Sequence, residues 1–222
     1  IRYVIRRAFK LVIALAMPCA VGLMVLAGPI QRMLFPARLD EIEAVTPLLQ
    51  ILGFASFWTC LATLTTATLQ SVGKMRVPVY SLIAGGAVKL AVNYTLIGIP
   101  SIGMLGAPVG TILCYVTIFA INFICFKKEV RFSLHFAPTV VKPLLACAVL
   151  GTAADFAQRL LAGLTGDAVA TAISIALAAA LYGLVMLLIG GIGEQDILML
   201  PKGAAIARLL KKMRLLRARP KA

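Results

Sequence analysis

Hydrophobic residues run through this chain in six stretches, each about as long as a bilayer crossing, and short links between them hold most of the polar and turn-forming residues. A hydrocarbon core of about 30 Å takes roughly 20 apolar residues as a helix. The pattern predicts helical spans over 11–35, 45–69, 77–99, 105–126, 138–161 and 168–192. Strands of a membrane barrel would be about 9–11 residues long with strict alternation, which these continuous runs lack. The expected fold class is therefore all-α: a polytopic membrane bundle of six transmembrane helices over residues 1–193, then a tail over 194–222. Links such as Ser71-Val72-Gly73-Lys74 and Gly98-Ile99-Pro100-Ser101 carry turn chemistry. The fifth span is the most interrupted, since Lys142 and Asp155 leave only Pro143 to Ala154 free of charge. Lys142 is expected to snorkel to the nearer interface. Asp155 and Arg159, four apart, are expected to pair near the opposite end.

Composition sharpens this picture. The 222 residues are 61% hydrophobic and 14% charged, with a mean hydropathy of +0.99, against about 45–50% and about 25% for a soluble domain. A soluble fold of this length has no way to hide so much apolar surface. The net charge of +14 is distributed by topology. Arg2, Arg6, Arg7 and Lys10 precede the first span, and Lys74 and Arg76 separate the second from the third. Lys127, Lys128 and Arg131 follow the fourth span, and eight Lys and Arg residues from Lys202 to Lys221 follow the sixth. The other connections are poor in Lys and Arg: Arg38 sits among Asp40, Glu41 and Glu43, the Gly98–Met104 turn is uncharged, and the last link holds Arg159 and Asp167. The positive-inside rule places both ends of the chain in the cytoplasm. Nucleic acid is not an expected partner, because the basic residues are split among four segments instead of forming one surface. In the tail, Ile206, Leu209, Leu210, Met213 and Leu216 recur at helical spacing among basic residues. Two readings fit: a basic amphipathic helix on an anionic leaflet, or a solvated tail that only sets topology. The apolar run from Leu11 to Gln31 is too long for a cleaved signal peptide. An initial Ile in place of Met predicts that the chain is the later part of a longer protein.

Candidate chemistry is sparse. Cys19, Cys60, Cys114, Cys125 and Cys147 all fall in spans without a C-x-x-C pair, and read as small core residues. With His135 as the single histidine, neither a zinc site nor a Ser-His triad can be assembled, and no catalytic residue, metal or cofactor is expected. Two polar features remain inside the spans. Lys89 lies about 18 Å into the third span at about 1.5 Å per residue, with Asn93 one turn later and Gly85 one turn earlier. An ammonium at the bilayer centre costs about 2.5–3.5 kcal/mol on insertion scales, so such a residue usually faces a cavity or a partner. Snorkelling is the plainer alternative. Ser56, Thr59, Thr63, Thr66 and Gln70 follow steps of three, four, three and four, and so share one face of the second span. They read either as hydrogen-bonding glue between helices or as the wall of a watery pathway. Pro18, Pro29, Pro47, Pro108 and Pro143 promise bent helices, and Gly106 with Gly110 permits a close helix contact.

The ordered set of motifs resembles a known group. Leu69-Gln70-Ser71-Val72-Gly73-Lys74-Met75-Arg76-Val77-Pro78 resembles the loop after a polar-striped helix in bacterial polysaccharide exporters. Lys89 with Asn93, Ile99-Pro100, and Ile102-Gly103-Met104-Leu105-Gly106-Ala107 follow in the family's order. Met17-Pro18-Cys19-Ala20-Val21-Gly22-Leu23, Ala27-Gly28-Pro29-Ile30 and Met199-Leu200-Pro201-Lys202-Gly203 also look like this group. The chain is most similar to the stage V sporulation protein B and lipid II flippase branch of the multidrug/oligosaccharidyl-lipid/polysaccharide exporter superfamily. That resemblance implies the later part of a two-lobed exporter, helices nine to fourteen, with the first lobe and the first two helices of the second missing. It implies alternating-access movement of an undecaprenyl-linked sugar diphosphate between leaflets of the bacterial inner membrane. Lys89, Asn93, Thr59, Thr63, Thr66 and Gln70 are then the expected substrate-binding residues, with Gly85 leaving room for a head group beside the ammonium. The competing readings are a cation-coupled multidrug exporter, which would want carboxylates that these spans lack, a membrane enzyme acting on polyprenyl carriers, and a non-catalytic structural subunit.

Overall fold

The computed structural model describes residues 2–37, 39–100, 102–130 and 136–191. All regular structure among them is helical: α1 (Arg2–Val25), α2 (Ala27–Leu34), α3 (Leu39–Ser71), α4 (Arg76–Ile97), α5 (Gly106–Val130), α6 (Phe136–Thr165) and α7 (Asp167–Leu188), with a 3-10 turn at Gly103–Leu105. Six of these helices are long and apolar enough to cross a membrane, matching the six spans read from the pattern. The basic tail, Arg131, His135 and Arg38 lie outside the described residues.

Helix bounds differ from the apolar runs for local reasons. The first run is broken at Leu26 (φ −95°, ψ 15°). Pro29 has no N–H to give the Val25 carbonyl and its ring crowds that group, so α1 ends there and α2 begins at Ala27. At its start α1 extends back through the basic segment, because Ile5 and Phe9 are buried in the bundle. The α3 helix has 33 residues, about 50 Å at about 1.5 Å per residue, so its ends project beyond the hydrocarbon. Asp40 and Glu41 occupy its first turn, where the helix dipole favours negative charge. The last span stops at Leu188 because Gly190 turns left-handed (φ +64°) and Gly191 N–H returns to the Met186 carbonyl at 2.8 Å.

In space the neighbours run α4, α5, α3, α1, α6, α7, with α2 bridging α3 and α7. An apolar cluster containing Ile5, Phe9, Leu69 and Phe126, with Val77 against it, joins the start of α1, the end of α3, the start of α4 and the end of α5. The basic residues of those four segments therefore collect at one end of the bundle. A second cluster, including Leu26, Cys147, Leu150, Ala178, Tyr182 and Met186, fixes α1, α6 and α7.

Two directional contacts hold that second group. Pro18 cannot supply the N–H that the Ala14 carbonyl would normally receive. The buried Tyr182 hydroxyl of α7 donates to that carbonyl at 2.6 Å. Lys142 does not simply snorkel: its ammonium donates to the Ile189 and Gly190 carbonyls, at 3.1 and 3.3 Å, closing the end of α7. A cation there also meets the negative end of the helix dipole. Asp155 and Arg159 pair at 3.0 Å as expected, on exposed surface. The cysteines divide: Cys114 and Cys147 are buried, whereas Cys19 and Cys60 are exposed and do not serve the core. A thiol behaves as a small apolar group, so a position outside the core costs it little within a membrane.

Candidate functional site

Ser81, Lys89 and Asn93 of α4 lie towards its contact with α5. Ser81 is fully buried and donates to the Pro78 carbonyl at 2.9 Å. One turn later, a Cβ on Gly85 would fall 2.6 Å from Ile118 Cγ1 and 3.0 Å from the Cys114 carbonyl oxygen. Only glycine lets the two backbones come this close. The expectation that Gly85 leaves room for a head group is thus overturned, because Ile118 fills that space. The other side of the crossing is built alike. A Cβ on Gly106 would meet Leu96 Cβ at 2.8 Å, and one on Gly110 would collide with the Asn93 amide oxygen. The Gly106/Gly110 pair legible in the sequence is one half of this contact.

Lys89 is half-buried beside Cys114, and its carbonyl oxygen stands 3.5 Å from where a Gly110 Cβ would be. No Asp or Glu occurs in the chain between Glu43 and Glu129, so neither α3 beyond its first turns nor α4 offers a carboxylate to this ammonium. Asn93 is half-buried, and its buried amide oxygen receives no hydrogen bond.

The α3 stripe divides into two parts. Ser56, Thr59 and Thr63 donate to carbonyls of their own helix, at 2.6, 3.0 and 2.8 Å. Thr66 accepts a hydrogen bond from Asn122 Nδ2 of α5 at 2.9 Å, the interhelical glue expected of such a hydroxyl. Thr63 and Gln70 are exposed, on a face shared with Cys60 and Ala67. The α3 and α4 helices scarcely touch each other, yet both rest on α5: Ala62 packs with Cys114 and Ile118, and Gly85 sits over the same two residues. The Lys89–Asn93 pair and the stripe therefore occupy two helices rising from a common floor.

Asn122 is what sequence reasoning missed. It is fully buried, ties α5 to α3, and keeps one amide oxygen without a partner. The signal was available, since a lone amide in the apolar run Ala120-Ile121-Asn122-Phe123 is a polar group that needs a partner in hydrocarbon. Gln31, also buried, was likewise passed over; its amide donates to the Val45 carbonyl at 3.2 Å and joins α2 to α3.

Six long apolar helices with polar groups held inside their contacts define a polytopic helical membrane protein. The chain is similar to the lipid II flippase MurJ of Bacillus subtilis (strain 168), with 26% identity over 190 residues, 84% of this chain and 35% of that protein. It thus spans well under half the length of that relative. No family model matches, and no solved structure does.

Proposed function

We propose that the chain forms part of a transporter, not an enzyme, that moves an undecaprenyl-linked saccharide such as lipid II between leaflets by alternating access. The observation that carries this reading is the likeness to a lipid II flippase across 84% of the chain, coincident with six membrane-spanning helices. Lys89 and Asn93 are the proposed contacts for the sugar diphosphate, with Thr59, Thr63, Thr66 and Gln70 along the neighbouring wall. A lone ammonium in a span is stabilised by an anionic ligand or an internal partner. The absence of acids between Glu43 and Glu129 favours the ligand. On this reading a second lobe completes the cavity, both chain ends are cytoplasmic, and the basic tail lies on the anionic leaflet.

The test is leaflet translocation of a fluorescent lipid II analogue in proteoliposomes carrying the full-length protein. Lys89→Met is expected to insert normally and lose most transport, while Lys89→Arg retains part, since the charge stays but the compact ammonium becomes a wider fork. A near wild-type rate for Lys89→Met overturns the assignment of the site. Orientation is read separately, by labelling single cysteines with an impermeant reagent in intact cells. Label at the position of Asp40 and none at Lys74 is expected, and the reverse inverts the topology.

A further inference from the structure

A second feature lies away from the proposed transport path. Between α1, α3, α5 and the start of α6 is a cleft of about 220 Å³ with an entirely apolar lining that includes Phe9, Ile13, Met17, Trp58, Phe119 and Val140. Met17, Trp58, Phe119 and Val140 are each only half-buried, so the cleft opens at the surface of the bundle. Its wall is stiffened by aromatic contacts: Phe9 stacks on Phe126 at 6.3 Å, Phe119 on Phe123 at 5.4 Å, and Trp58 meets Phe119 edge-on at 5.8 Å.

Charge is organised at one end of this cleft. Arg6, Lys10, Ile13 and Met17 follow steps of four, three and four, which puts two basic side chains on the helix face that lines it, displaced towards the end of the bundle. The Phe9–Phe126 stack brings the end of α5 to the same place, and the exposed Lys127 and Lys128 follow directly. An apolar slot continuous with a basic rim has the chemistry of a phospholipid with a negative head group. The slot holds part of one hydrocarbon chain, and the rim meets the phosphate at the interface, where each Lys or Arg adds attraction for anionic lipid.

We propose that this cleft is a binding site for one acyl chain of an anionic glycerophospholipid, drawn from the leaflet that bathes the basic end of the bundle. The occupant is a bulk membrane lipid, distinct from the transported cargo. It would seat α1 against α5 and α6 and make the packing of this end depend on membrane composition.

Trp58 lines the cleft and is the chain's one tryptophan, so its fluorescence reports occupancy directly. The full chain is placed in bilayers containing equal fractions of a phosphatidylglycerol or a phosphatidylcholine brominated on the acyl chain, and quenching is titrated. The expected preference for the anionic lipid is at least about fivefold, the worth of one basic residue near a surface. Replacing Arg6, Lys10, Lys127 and Lys128 together by Gln should abolish the preference while leaving basal quenching. Val140→Phe, which fills the slot and keeps the charges, should weaken quenching by both lipids. Equal quenching by the two lipids in the unmodified chain overturns the proposal, as does a preference that survives Val140→Phe at full strength, which would be a diffuse ring of lipid. Displacement of the brominated lipid by stoichiometric polyprenyl diphosphate also overturns it, by assigning the cleft to the cargo.

Discussion

The two flanks of the bundle are held together by opposite means. The α4–α5 contact relies on missing side chains: Gly85, Gly106 and Gly110 let the backbones close, and their fit needs no aimed bond. The α1–α6–α7 group relies on a large apolar cluster secured by aimed bonds, Tyr182 to Ala14 and Lys142 to the end of α7. Lipid is as apolar as leucine, so burial alone does not drive helices together in a membrane; close packing and hydrogen bonds do. The first flank uses mainly the former and the second adds the latter. The proposed transport residues Lys89 and Asn93 sit on the flank held by shape.

This contrast can be broken at its strongest point by Gly85→Leu. With Ile118 and the Cys114 carbonyl already in place, overpacking is expected to cost about 3 kcal/mol and to separate α4 from α5, read as loss of cross-linking between cysteines placed on the two helices. Tyr182→Phe removes one hydroxyl and strands the buried Ala14 carbonyl, an expected loss of about 2 kcal/mol. It should appear as a lower midpoint of unfolding in mixed micelles, with the α4–α5 cross-link unchanged. Lys142→Met should cost about 0.3–1 kcal/mol, the worth of a cation at a helix C-terminus, and speed hydrogen exchange at the last turn of α7. Of similar size is Thr66→Val, about 0.6 kcal/mol for one interhelical bond in a membrane. If Tyr182→Phe instead opened the α4–α5 cross-link, the division into two kinds of flank would fail.

Most of the architecture was legible in the sequence because the bilayer demands long apolar runs and reserves its ends for charge. The six spans, the Gly106/Gly110 contact and the Asp155–Arg159 pair follow from length and helical spacing, which are local properties. What the sequence hid was the identity of the neighbour on each face. Spacing puts Gly85 on one face with Lys89, yet only the packed structure shows that Ile118 occupies the space beside it. Lys142 similarly reads as a snorkelling residue until the carbonyls of Ile189 and Gly190, nearly fifty positions later, come into reach. For the candidate site, the stripe on α3 was visible as a face, but its division into bonded Thr66 and outward Thr63 and Gln70 depends on Asn122 of another helix.

The bond from Tyr182 to Ala14 spans 168 residues of chain. During synthesis from the amino end, α1 enters the bilayer with a backbone acceptor that its own proline has left bare, and the phenol that covers it belongs to α7, made 168 residues later. Until α7 arrives, that acceptor has no intrahelical donor and must borrow one from stray water or another helix, at a cost in hydrocarbon. Docking of α7 is thereby recorded at one atom in the middle of α1. A chain truncated before Tyr182 would carry α1 with that acceptor still open towards hydrocarbon.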